Sequence, residues 1–381
     1  LSVNAAALSL SPGEAPDHPR RSADLIGHRA AEAELLAAWR SGRLSHAWLI
    51  GGPRGIGKAT LAFRFARFLL ARGDAVSHDV GLPGLPGLDS GAGPEDLALA
   101  PTHPVFLRVA SGGHADLLTI ERQVNEKTGR LRSDIGVEEV RRLGDFFAKT
   151  AAEGGWRVAI VDAADEMSRS AANALLKILE EPPARAVILV VAHAPGGLLA
   201  TIRSRCRRLV CRPLAAEEVA TVLSRRAPAL TPPERLALSH LADGSPGRAL
   251  ALAEQGGLAA YRDLLALLET LPDLDLAALH AFAERLARAE NQALFRLTGE
   301  LLSHWLVLVV RSAAAPGLGV GDGAAGEQPL IVRLGRRPSL DRWLDVWEKV
   351  NHILERAESV NLDRKQVLLN IFFALARAAQ A

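Results

Sequence analysis

The stretch Gly52-Pro53-Arg54-Gly55-Ile56-Gly57-Lys58-Ala59-Thr60 has the residue types and spacing of a loop that cradles phosphate. Glycines let backbone N–H groups converge on phosphate oxygens, a following helix N-terminus adds partial positive charge, and Lys58 would reach the terminal phosphates. One part is out of place. The hydroxyl that holds magnesium should come directly after the lysine, and that residue is Ala59; Thr60 stands one position late. A second acidic element is expected where a buried strand ends, and Arg157-Val158-Ala159-Ile160-Val161-Asp162 supplies it. Asp162 reads either as the metal-side carboxylate or, more plainly, as a strand-end residue capping the next turn. Hydrolysis also needs a carboxylate that orients and deprotonates water, but the next residue is Ala163, which cannot polarise it. Asp165 and Glu166 lie farther along the chain, and catalytic geometry fails with displacements near ~1 Å.

Such a loop requires a strand before it and a helix after it. Ala47-Trp48-Leu49-Ile50 is a short apolar run ending at glycines, and residues 61–71 return to helical periodicity. Residues 26–39 read as a helix ahead of that strand. Further strands are predicted over 117–121, 157–161 and 187–192, and helices over 137–150 and 170–181. Strands alternating with helices imply a parallel sheet covered on both faces. Beyond Pro213 the spacing is helical to the end, with breaks at Pro228, Pro232, Pro272 and Pro316. Residues 1–22 read as a tail, 73–101 as a surface excursion, and the Gly/Ala-rich 313–326 as a mobile loop.

A chain of 381 residues with 49% hydrophobic and 23% charged composition predicts two or three globular domains. A formal charge of +2 excludes a wholesale polycationic surface for nucleic acid or membrane. Cys206 and Cys211 lie too close together for a disulfide framework and fit a reducing compartment, so a cytoplasmic location is expected. The N-terminal residues lack the pattern of a secretory signal, and no run approaches a membrane span; Leu306 to Val310 is short.

Four stretches, in this order and spacing, resemble one family: Ser45 to Pro53 running into the phosphate loop, Asp162-Ala163-Ala164-Asp165-Glu166-Met167, Asn173-Ala174-Leu175-Leu176-Lys177-Ile178-Leu179-Glu180-Glu181-Pro182-Pro183, and Thr201-Ile202-Arg203-Ser204-Arg205-Cys206. The chain is similar to the clamp-loader branch of the P-loop AAA+ proteins, which serve bacterial DNA polymerase III. Leu25-Ile26-Gly27-His28 resembles the box that closes over adenine, and Gly244-Ser245-Pro246-Gly247-Arg248 the lid element carrying a sensor arginine. The likeness covers about residues 23 to 255.

The resemblance implies an α/β fold: a RecA-like parallel-sheet AAA+ domain over 23–212, a small helical lid over 213–255, and an all-helical collar over 256–381 that oligomerises. The family holds working ATPases of the gamma or tau type and non-motor partners. Ala59, Ala163 and Ala192-His193 replace the motors' magnesium hydroxyl, catalytic Glu and first sensor. The resemblance therefore implies a non-motor subunit that helps load the sliding clamp onto primed DNA. Arg205 would enter a neighbouring subunit's ATP site as an arginine finger, a role that general phosphoryl-transfer chemistry values at roughly 1,000-fold or more.

Gly52, Gly55, Gly57, Lys58, Thr60, Asp162 and Arg248 would form a degenerate nucleotide site. No cofactor is required on this reading, although ATP or ADP held without hydrolysis stays open, as does a hydrolysing motor built on Thr60 and Asp165. Partners would be gamma/tau and delta type subunits, and indirectly the clamp and DNA. Relatives with a four-cysteine zinc module carry it where this chain has no cysteine, so no zinc is expected. The basic run Arg203, Arg205, Arg207, Arg208 and Arg212 also reads as a solvated edge. Glu180-Glu181, at a helix C-terminus, opposes the helix dipole and calls for an arginine partner or for solvent.

Overall fold

The computed structural model describes residues 18–72, 94–125, 127, 129, 131–315, 327–336, 340–359 and 362–380. Most of the expected excursion 73–101 and loop 313–326 lies outside them. The chain forms two compact units, residues 1–214 and 215–381. The second begins at 215 and is one unit over the residues expected to divide at 255 into a lid from 213 and a collar.

The first unit runs α1 (Arg29–Arg40), β1 (Ala47–Gly51), α2 (Lys58–Arg72), α3 (Pro104–Ser111), β2 (Leu117–Glu121), α4 (Val137–Ala148), β3 (Arg157–Asp162), α5 (Arg169–Glu180), β4 (Ala186–Ala192), α6 (Ala200–Arg205) and β5 (Arg207–Val210). Its five strands pair in the order β2-β3-β4-β1-β5, every pair parallel. Strands β1 and β4 are buried along their whole length, as their unbroken apolar sequences require of a sheet covered on both faces. Ile188, Val190, Leu175, Leu179 and Ile202 share one side of this core, under α5 and α6.

Register decides what meets at the sheet's C-terminal edge. Gly51 lies opposite Ala192 and Val210, while Asp162 lies opposite Glu121 and Val191. The phosphate loop and the acidic strand end therefore share one edge, with β4 between their strands. Ligands of open parallel sheets bind at this kind of edge.

Three elements differ from expectation. Helix α1 begins at Arg29, not Ile26, because Gly27 and His28 take left-handed backbone at φ 74° and 58°. Strand β5 is additional: it is a sheet edge in which only Leu209 is buried, so the sequence shows no apolar run there. Residues 18–22 of the expected tail are fixed to the unit. Arg67, 2% exposed within α2, donates to the carbonyls of Arg20 and Ser22 at 3.0 and 2.8 Å.

The second unit is helical in all its regular elements: α7 (Ala216–Arg226), α8 (Pro232–Leu241), α9 (Pro246–Glu254), α10 (Gly257–Glu269), α11 (Leu276–Ala287), α12 (Gln292–Ala314), α13 (Glu327–Gly335), α14 (Leu340–Ser359) and α15 (Arg364–Ala379). Local chemistry starts several of them. Ser245 accepts from the N–H of Arg248 at 3.2 Å and Pro246 opens α9; Glu234 accepts from the N–H of Thr231 at 2.9 Å beside Pro232. Residues 289–314, with mean hydropathy 1.4, are long and apolar enough to cross a membrane, which the sequence reading did not anticipate. Half of that window is buried, and α12 packs Leu301, Leu302, Trp305 and Val309 within a bundle of α10, α13 and α14. It is a core helix.

Candidate nucleotide site and arginine edge

The loop between β1 and α2 has the backbone its glycines predict. Gly52, Gly55 and Gly57 sit at φ 151°, 76° and 102°, conformations that favour glycine. The Nε2 of His28 lies 2.7 Å from the carbonyl of Ile56, joining the box ahead of α1 to the loop. Lys58 is 3% exposed and donates from Nζ to the carbonyl of Pro53 at 2.5 Å. Burial lowers its pKa, while the charges of Asp162 and Asp165 act to raise it. Lys58 and Asp162 are therefore brought together as expected, and Thr60 lies half-buried in the first turn of α2.

Asp162 is the most perturbed carboxyl at this edge. Burial, with Glu121 adding to it, pushes its carboxyl up to about 6, against the pull of Lys58 and His18. His18 Nε2 is 3.0 Å from Glu121. The residues fit a polyphosphate through the glycines and Lys58, provided Lys58 leaves the Pro53 carbonyl. They lack one ligand for its magnesium, because the position after Lys58 carries a methyl group in place of a hydroxyl. Among the described residues no cluster of three His, Cys, Asp or Glu is arranged to hold a metal. Cys206 and Cys211 are buried free thiols, each raised to about 11 by burial.

The two acidic residues that could replace the missing water-activating group are engaged elsewhere. Asp165 accepts the N–H groups of His193 and Ala194, at 2.9 to 3.1 Å. Glu166 pairs with Arg122 at 2.7 Å through one oxygen and with Arg54 at 3.5 Å through the other. Ala163 itself is 2% exposed. His193, at the first-sensor position, has its pKa lowered to about 4 by burial and then by Lys58, so it is neutral at physiological pH. None of these pairings is visible in the sequence, because each partner comes from a different strand end.

Arg205 is not part of this cluster. It ends α6 and precedes β5, whose Arg207 lies level with Trp48 while its Val210 lies level with Gly51. Strand β5 rises about 10 Å between those levels, so Arg205 enters the sheet at the edge opposite the chain's own phosphate loop. Its Nη2 lies 2.8 Å from Glu180 at the end of α5, and its Nη1 donates to the carbonyl of Thr201 at 3.2 Å. The partner sought for the Glu180-Glu181 pair is thus Arg205. Arg207 is committed to Glu34 at 3.0 Å and lies over the Trp48 ring, whereas Arg208 and Arg212 are exposed.

Arg248, in the second unit, pairs with Asp243 at 3.1 Å, and Asp243 also meets His304 of α12 at 2.9 Å. Burial pushes the Asp243 carboxyl up, but the hydrogen bond and charge of His304, with Arg248 and Arg311, bring it below its ordinary value. These residues line a cavity of about 620 Å³ between α12, α14 and the turn before α9.

Residues 101–215 match the family model described as DNA polymerase III, delta subunit. The DNA polymerase III subunit delta' of Pseudomonas aeruginosa is 37% identical over 56% of this chain and 57% of its own length, so the match spans little more than half of that relative. The subunit tau of Salmonella typhimurium is 31% identical over 81% of this chain and 47% of its own length. A solved gamma subunit-related protein of Thermotoga maritima covers 91% of this chain at 17% identity, with a TM-score of 0.37. The subunit delta' of Escherichia coli is 30% identical over 88% of this chain and 90% of its own length. By that extent of likeness, over a sheet with a phosphate loop at its C-terminal edge and a helical second unit, the chain belongs to the family of DNA polymerase III subunit delta'.

Proposed function

We propose that this chain is a non-motor subunit of a bacterial clamp loader, acting in the cytoplasm. It completes a ring with gamma/tau and delta type subunits, helps place the sliding clamp on primed DNA, and offers Arg205 to the ATP held by its neighbour. The observation that carries this reading is the state of the acidic groups behind Asp162. Asp165 and Glu166 hold backbone amides and arginines, and Ala163 fills the water-orienting position. A motor would need one of those carboxylates free and facing water. The placement of Arg205 at the sheet edge away from its own loop supports action on another molecule's phosphate. Neither zinc nor magnesium has a part in this reading, and stoichiometric zinc in the purified protein would contradict it.

The test is steady-state ATP hydrolysis by the purified chain with magnesium and primed DNA, using Lys58→Ala as control. The expected result is no turnover above that control. Turnover that Lys58→Ala abolishes would make the chain a motor of the tau kind.

A second reading, a switch that binds ATP tightly without hydrolysing it, is favoured by the intact glycines and by Lys58. Calorimetry separates the two, because a dissociation constant above about 1 mM corresponds to under about 4 kcal/mol of binding and eliminates the switch.

A further inference from the structure

Arg205 has no need of Glu180 to fold. It sits in the last turn of α6, where a cation complements the helix dipole, and its guanidinium already donates to the carbonyl of Thr201. Glu180 has the opposite problem: a carboxylate in the last turn of α5 faces the negative end of that helix. Among the described residues its ion-pair partner is Arg205, 2.8 Å away. Both side chains are open to solvent, 36% exposed for Arg205 and 50% for Glu180. Helix α5 ends at a residue that its own dipole disfavours, and that residue holds the single arginine assigned to a neighbour's phosphate.

We propose that Glu180 is a positioning residue for Arg205: it holds the guanidinium in one orientation while no phosphate is present and yields it when the neighbour's ATP arrives. This rests on the trans role of Arg205 proposed above. The chemistry of exchange is favourable. A guanidinium fork bridges two oxygens of a phosphate as it does those of a carboxylate, and a terminal phosphate carries more charge than one carboxylate. An exposed pair shifts an equilibrium by at most about fivefold, so the hold is weak enough to release. Glu180 therefore competes with ATP for Arg205, and its strength sets how tightly the neighbouring site takes ATP without altering the chemical step once ATP is bound.

The experiment uses the reconstituted clamp-loader complex with clamp and primed DNA, comparing wild type, Glu180→Gln, Glu180→Ala, Arg205→Ala and the Glu180→Ala/Arg205→Ala double variant. Glu180→Ala should lower the apparent KM for ATP by two- to fivefold with kcat unchanged, and Glu180→Gln, which keeps the shape and loses the charge, should fall between. In the Arg205→Ala background the Glu180 change should have no effect on KM. A purely structural role for Glu180 would move the thermal midpoint and not produce this split. An unchanged or raised KM in Glu180→Ala overturns the proposal, as does a KM shift that persists without Arg205. Wild-type KM and kcat in Arg205→Ala would instead overturn the finger itself, and the role of Glu180 with it.

Discussion

Both carboxylate oxygens of Asp165 accept the backbone N–H of His193, at 3.0 and 3.1 Å, and one of them also accepts the N–H of Ala194 at 2.9 Å. The contact ties the turn after β3 to the end of β4, across the edge where a motor would activate water. Asp165 is thus a brace, and its negative charge is already matched to fixed amides.

The brace has a measurable pH signature. Burial pushes the Asp165 carboxyl up, but the His193 and Ala194 amides outweigh it and bring it below its ordinary value of 3.8. A depressed carboxyl stabilises the fold fully above that ordinary value and loses its contribution as pH falls through the lower, folded one. Asp165→Ala should cost about 1 to 3 kcal/mol at pH 7.5 by urea unfolding, since it leaves amides unpaired. The gap to wild type should close on acidification. A gap that stays constant as pH falls through the ordinary carboxylate value would show that the amides do not depress the Asp165 carboxyl.

Asp162 predicts the opposite slope. Its carboxyl rises from 3.8 to about 6, chiefly through burial and then through Glu121. Between those values the folded chain binds a proton that the unfolded chain has lost, so stability falls as pH rises across that window, and the full cost is present above it. Asp162→Asn should therefore raise stability at pH 7.5 by on the order of 2 to 3 kcal/mol, with the gain gone near pH 4. Chemical denaturation at both pH values checks this. A loss of stability at pH 7.5 would mean that the attraction to Lys58 outweighs the cost of burial.

Gly52 sets a steric test of the loop. A Cβ there would lie 2.2 Å from the carbonyl oxygen of Cys211, and the φ of 151° is strained for any other residue. The Cys211 backbone cannot retreat easily, because its N–H is bonded to the carbonyl of Gly51 at 2.8 Å. Gly42 has a left-handed φ of 67° but open space around it. Gly42→Ala should cost about 1 to 2 kcal/mol, and Gly52→Ala at least about 3 kcal/mol. Equal costs in urea unfolding would show that the loop yields to a methyl group.

What the sequence made legible follows from where each signal resides. Strands β1, β3 and β4 are apolar runs because both faces of the sheet are covered there, with Val158, Ile160, Ile188 and Val190 all fully buried, while the edge strand β2 was readable from Leu117, Leu118 and Ile120 although only Ile120 is buried. Strand β5 escapes because a sheet edge with Arg207, Arg208 and Val210 exposed has no such run. Helix α3 follows the 73–101 excursion in a stretch that carried no helical expectation, and it is started by Pro104, with the His103 ring accepting the N–H of Val105. The loop residues and Asp162 were readable as local motifs. Their electrostatics were not: the pairing of Glu166 with Arg54 and Arg122 depends on which strand ends the parallel register sets side by side, and that of Glu180 with Arg205 on the packing of α5 against α6.

Arg205 bears the most direct functional prediction. Arg205→Ala removes one half-exposed side chain whose contacts are an exposed ion pair with Glu180 and the carbonyl of Thr201, so the fold should change by under about 1 kcal/mol. Co-elution with partner subunits should be unaffected. In the assembled complex on clamp and primed DNA, the adjoining ATP site should slow by roughly 1,000-fold or more, seen as the loss of that site's share of total turnover. Arg205→Lys restores charge without the planar fork and should recover only a small part of the rate, because a single ammonium cannot bridge two phosphate oxygens in the same way. Full recovery by lysine would reduce the role to a simple charge, and turnover unchanged in Arg205→Ala, with assembly intact, would remove this chain from its neighbour's chemistry.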